Sequence, residues 1–211
     1  ARVSCLDLPD HGTSPDQPTP DPAPLRAALA AHVEALPDPS VVLVGHSLGA
    51  YLCASIADEL DKHVERLVLI SGFDVLHEID VSLYRTIADG LESGRFDLEL
   101  LRAMALETAL GARHRQHEEL AAAMQEMSLP RSVRSLRRAL YLGPPGIESY
   151  QTQATVIHGR DDAAIRYELG LALAAAGVRS ELVTIDTDSH LLPLTHPAEL
   201  ARIIFPVESC G

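Results

Sequence analysis

Five residues carry the strongest chemical signal in the chain: Gly45-His46-Ser47-Leu48-Gly49. They follow the apolar run Val41-Val42-Leu43-Val44 and precede a stretch of helix-forming residues. A serine between two such glycines, at a strand-to-helix turn, is the arrangement that lifts a hydroxyl above a sheet as a nucleophile. Side chains two residues to either side of Ser47 are expected to collide in that turn, so glycine is expected to be needed at both 45 and 49. The helix that follows points its N-terminus at the hydroxyl and favours developing negative charge. The backbone N–H of Leu48 is then placed to receive an oxyanion. At about 7% glycine and a similar serine frequency, the pentapeptide arises by chance roughly 0.07 times in a chain this long.

A serine hydroxyl needs a base, and the base needs an orienting carboxylate. In this type of site the chain order is serine, acid, histidine. His158-Gly159-Arg160-Asp161-Asp162 supplies a carboxylate after one strand, Asp161 or Asp162, and Asp186-Thr187-Asp188-Ser189-His190 a histidine after the next. His190 is therefore the expected base. Of the other histidines, His46 is expected to point away from the catalytic face. His158 is expected to support the acid from a strand end, and His196 to lead into a helix at Pro197. Asp186 and Asp188 read as solvated loop carboxylates. His114 and His117 lie among acidic residues, but their spacing has no paired partner motif for a metal, and a solvated helix is the expected reading. Cys53 and the three methionines, Met104, Met124 and Met127, read as packing residues.

Several elements must position these groups. Val3–Leu8 reads as a short strand leading into the turn-rich loop Asp7–Ser14. Asp21 is an expected N-cap with Pro22 at the first helical position, ahead of the stripe Leu25, Leu29, Val33 and Leu36. Val41–Val44 and Leu67–Ile70 read as strands buried on both faces of a parallel sheet. From Gly72 to Gln153 there is no convincing buried strand. Helical patterns run there around Val81–Leu91, Leu98–Leu110, Glu118–Met127 and Ser132–Tyr141. Thr155–Ile157 resumes a strand, Tyr167–Ala176 reads as a helix ended by Gly177, Glu181–Asp186 as a strand and Pro197–Phe205 as a helix. Alternating strands and helices make the fold class α/β with a mostly parallel sheet, whose ligands sit at the C-terminal ends of the strands.

Composition narrows the function classes. The 211 residues are 46% hydrophobic and 22% charged, with a net charge of −13. That excludes a disordered or collagen-like chain and argues against nucleic acid as a partner. No apolar run is long enough for a membrane span. Three cysteines without metal-like spacing, Cys5, Cys53 and Cys210, fit a reduced, cytoplasmic compartment. All but one of the 17 basic residues are arginine, a bias of GC-rich bacterial genomes.

Taken together, these residues resemble the α/β-hydrolase superfamily, and within it the lid-bearing, esterase-like branch. Leu6-Asp7-Leu8-Pro9-Asp10-His11-Gly12-Thr13-Ser14 resembles the family's D-x-P-G-H-G-x-S loop, with Asp10 in place of a glycine. Gly159–Asp162 resembles its G-x-x-D, which favours Asp162 over Asp161. Ser189-His190 resembles its G-H pair, with serine in place of glycine. The resemblance implies an α/β-hydrolase fold in three parts: residues 1–71 as the first part of the core, 72–153 as a helical lid, and 154–211 as the second part of the core. It implies a Ser47–Asp162–His190 triad, an oxyanion site at the Leu48 N–H, no metal or organic cofactor, and a small-molecule acyl substrate held as an ester or thioester. C–C hydrolysis, perhydrolysis, an editing thioesterase and a non-catalytic binding module are the alternatives. In that family Val3–Leu8 and Val41–Val44 match the fourth and fifth strands, and a third strand lies between them. That strand, with the loop bearing a second oxyanion donor, is expected to precede Ala1.

Overall fold

In the computed structural model, residues 2–112, 128–143 and 146–205 are described. Four strands form one parallel sheet in sequential order: β1 (Ser40–His46), β2 (His63–Ile70), β3 (Ala154–Gly159) and β4 (Ser180–Ile185). Helices α1 (Ala23–Ala35), α2 (Leu48–Ile56), α6 (Tyr167–Ala176), α7 (Leu192–Thr195) and α8 (Pro197–Ile204) pack around it. Between β2 and β3 lie α3 (Glu78–Glu92), α4 (Leu98–Leu110) and α5 (Leu129–Arg138).

The two faces of the sheet follow from the period of two along each strand. Leu67, Leu69 and Val156 point to one side, into a core shared with Val33, Ala50, Cys53, Ala54 and Leu173. Their neighbours Val68, Ile70 and Ile157 point to the other, against Leu192 and Leu200. The helices between β2 and β3 join the sheet through a separate cluster. There Phe73, Leu76, Ala139, Leu142, Ile165 and Leu169 meet Leu48 and Tyr51 of the first turn of α2.

Two expectations about strands need correction. Residues 2–8 form no strand: they are mostly exposed, make no ladder with β1, and are tethered by an Arg2–Asp38 ion pair. A strand without a hydrogen-bonded neighbour leaves its backbone to water and gains nothing from extension. Nor is β1 buried on both faces. Leu43 enters the core, whereas Val42 and Val44 are 39% and 50% exposed, because no helix covers that side of β1 among the described residues.

Most helices fall where their patterns place them, α4 and α6 to the residue. Helix α1 begins at Ala23, one residue later than expected, and Asp21 Oδ1 accepts the Ala23 N–H at 2.8 Å. The expected helix over Glu118–Met127, with Met124, Met127, His114 and His117, lies outside the described residues, as does Cys210. Met104 is 55% exposed on α4 and joins no core cluster among the described residues. Cys53 is buried, and burial pushes its thiol up to about 12.

Candidate active site

Ser47 sits between β1 and α2 with φ +53°. A side-chain-bearing residue adopts that conformation only when its surroundings enforce it. Here the Ser47 N–H is held by the Ile70 carbonyl at the end of β2, 2.9 Å away, and its own carbonyl receives Ala50 N–H at 3.0 Å. Gly45 makes the turn sterically feasible, since a Cβ there would lie 2.3 Å from the Gly49 carbonyl oxygen. The matching expectation for Gly49 fails: its Cβ position meets nothing within 4 Å among the described residues. The close approach is one-sided, the carbonyl of 49 pressing on the α-carbon of 45. Leu48 is the first residue of α2, so its N–H has no preceding helical carbonyl to donate to.

Asp162 and His190 converge on this hydroxyl. His190 Nε2 lies 3.0 Å from Ser47 Oγ, and His190 Nδ1 lies 2.8 Å from Asp162 Oδ2. A carboxylate only accepts, so Nδ1 carries the imidazole proton and Nε2 is left to accept from the serine. The other oxygen of Asp162 accepts the Ala164 and Ile165 N–H groups, each at 2.9 Å. Asp162 is thus held at both oxygens and is 4% exposed, whereas Asp161 is exposed and takes no part.

Two further histidines surround the pair. His46 does not point away: its Nε2 donates to the His190 carbonyl at 2.9 Å, and the rings stand 4.9 Å apart. Burial, followed by the neighbouring His190, pushes His46 down to about 4. His158 is fully buried, donates from Nε2 to the Ile165 carbonyl at 2.9 Å, and lies 3.6 Å from Asp162 Oδ2. Its Nδ1 has no partner among the described residues, and Gly170 is flush against it: a Cβ there would fall 2.3 Å away. Burial lowers the His158 pKa and keeps the ring neutral beside the acid. His158 therefore braces Ile165, the residue whose own N–H holds Asp162.

Asp188 was expected to be solvated. It instead accepts the Ala112 N–H at 2.8 Å, and its other oxygen is buried without a partner among the described residues. Asp186 is exposed, as expected. His196 links α7 to α8 through a 2.8 Å contact with Thr195 Oγ1.

The loop before α1 carries a site feature that the sequence flagged only as a departure. Asp10, standing where the family has glycine, adopts φ +69° and is 2% exposed. Arg134 donates to it twice, at 2.8 and 3.1 Å, Arg138 at 3.0 Å, and the Gln17 N–H at 2.9 Å. Burial opposes the charge on Asp10, but these donors outweigh it and hold the carboxyl below its ordinary range. Arg131, Arg134 and Arg138 recur at three- and four-residue spacing, so one face of α5 is clamped to this loop. No group of three or more metal-ligating side chains occurs among the described residues.

Comparisons with known proteins bear on the family and the fold. Residues 1–203 match the model of the alpha/beta hydrolase family, and the chain belongs to that family. Its fold is the α/β-hydrolase fold, a parallel sheet flanked by helices. A hydrolase from Pseudomonas aeruginosa is similar in structure, with a TM-score of 0.81 at 20% identity over 93% of this chain and 76% of that one. An enol-lactonase from Burkholderia xenovorans gives 0.78 at 17% identity, covering 93% and 76%. An esterase from Exiguobacterium antarcticum gives 0.77 at 14%, covering 93% and 77%. No curated protein sequence matches the chain.

Proposed function

We propose that the protein is a serine hydrolase that cleaves a carboxylic ester or thioester through an acyl-enzyme. The observation that carries this reading is the continuous chain from Ser47 Oγ to His190 Nε2, at 3.0 Å, and from His190 Nδ1 to Asp162 Oδ2, at 2.8 Å. Ser47 attacks the substrate carbonyl while His190 takes its proton. Asp162 holds the imidazole in the Nδ1–H tautomer and stabilises its charged form. The Leu48 N–H at the positive end of α2 donates to the oxyanion of the tetrahedral intermediate. His190 then protonates the leaving alcohol or thiol. Water, activated by the same imidazole, releases the acid and restores Ser47.

The names of two similar structures fit this substrate class, since an esterase and an enol-lactonase both open a C–O acyl bond and a lactone is a cyclic ester. A fluorophosphonate probe tests the reading directly. Label is expected on Ser47 of the wild-type chain and is expected to vanish in Ser47→Ala. Label elsewhere, or an equal labelling rate in His190→Ala, overturns it.

A further inference from the structure

Ser189 occupies the position before His190 where the family pattern has glycine, and its hydroxyl is a junction. It is fully buried. Its Oγ accepts the Leu191 N–H at 3.2 Å and the Thr195 hydroxyl at 3.1 Å, and its own proton points to the Ala109 carbonyl, 3.5 Å away. Ala109 lies in the last turn of α4, a helix of the segment between β2 and β3. The same carbonyl accepts the His190 N–H at 2.8 Å and the Leu191 N–H at 3.3 Å. Two residues on, Gly111 has φ +76°, and a Cβ there would lie 2.6 Å from the Asp188 carboxyl carbon. The Ala112 N–H donates to Asp188 Oδ2 at 2.8 Å. Loop 188–191 and the end of α4 therefore satisfy one another's backbone groups. Carbonyls in the last turn of a helix have no helical donor and need outside partners.

We propose that Ala109–Ala112 is the seat on which the loop bearing His190 is held, with Ser189 and Asp188 as positioning residues for that histidine. This rests on His190 being the base, as read above. Neither Ser189 nor Asp188 touches the reacting atoms. They act by fixing the backbone from which the imidazole reaches Ser47 Oγ, a distance on which general-base catalysis depends steeply. The seat belongs to the segment between β2 and β3, so that segment and the base are in place together or not at all.

The test compares Ser189→Gly, Asp188→Ala and Asp188→Asn with the wild-type chain in two measurements. The first is amide hydrogen exchange at His190 and Leu191, which needs no substrate. The second is kcat and KM on a short p-nitrophenyl ester. Loss of one of these hydrogen bonds in Ser189→Gly or Asp188→Ala is expected to speed exchange at His190 and to lower kcat, each by about tenfold, with KM unchanged and the melting temperature lowered by only a few degrees. Asp188→Asn keeps an oxygen for the Ala112 N–H and is expected to be clearly less impaired than Asp188→Ala. Wild-type exchange and kcat in both Ser189→Gly and Asp188→Ala overturn the seat, and so does an Asp188→Asn variant as impaired as Asp188→Ala. Should the wild-type chain take no probe on Ser47, the hydrolase reading falls, while the exchange rates still decide the seat.

Discussion

Asp162 receives two backbone donors on one oxygen and the His190 imidazole on the other, so its orientation is set before any substrate arrives. Replacing it by asparagine keeps the shape but offers an amide N–H to His190, which favours the wrong tautomer. Asp162→Asn is expected to lower kcat by about 10⁴ with little change in KM, read on the same ester. His46 gives a second prediction, in pH. Its folded value is about 4 against an ordinary 6.5, so between those values the unfolded chain binds a proton that the folded chain does not. Stability therefore falls as pH drops through that window, by on the order of 3 kcal/mol, and His158 acts in the same direction. Urea midpoints at pH 7 and pH 4.5 check this; a His46→Gln chain is expected to lose less between them, and an equal loss refutes the assignment to His46. The residues of the candidate triad were legible in the sequence because the chemistry demands particular types at turns that end strands. The contact of His46 with His190 was not, because the two stand 144 residues apart and only the folded sheet brings them together.

At the scale of elements, local pattern sufficed where a helix is its own hydrogen-bonding unit. Helices α4 and α6 begin and end at the expected residues, α6 stopping at Gly177. Strands depend on a neighbour, and there the pattern misleads: Val3–Leu8 has the composition of a strand but no ladder to join. The clamp between α5 and the loop at Asp10 was invisible for a related reason, since nothing local distinguishes an arginine on a buried face from one in water. It carries its own prediction. Asp10→Gly restores the family residue and relieves the positive φ, yet it leaves Arg138, 1% exposed, without its carboxylate. The variant is expected to lose about 3 kcal/mol in chemical denaturation. Arg138→Met in the same chain is expected to recover most of that loss, and a double variant no better than Asp10→Gly alone refutes the coupling.

Across the whole molecule, two cores flank one sheet, and Cys53 lies in the larger of them. Its thiol, 4% exposed and pushed up to about 12, is expected to resist a disulfide reagent in the native chain while the exposed Cys5 reacts at once. Release of Cys53 therefore times global opening, and fast labelling of both in native buffer contradicts the packing. The cores were legible in outline from the apolar runs. The open side of β1 was not, because Val42 and Val44 read like any buried strand until the helices are placed.

The Asp10–Arg138 pair also constrains the lineage. A chain with glycine at 10 offers no carboxylate to a guanidinium buried at 138, and a chain that loses Asp10 alone leaves that guanidinium buried without one. Homologues are therefore expected to carry both residues of the pair or neither.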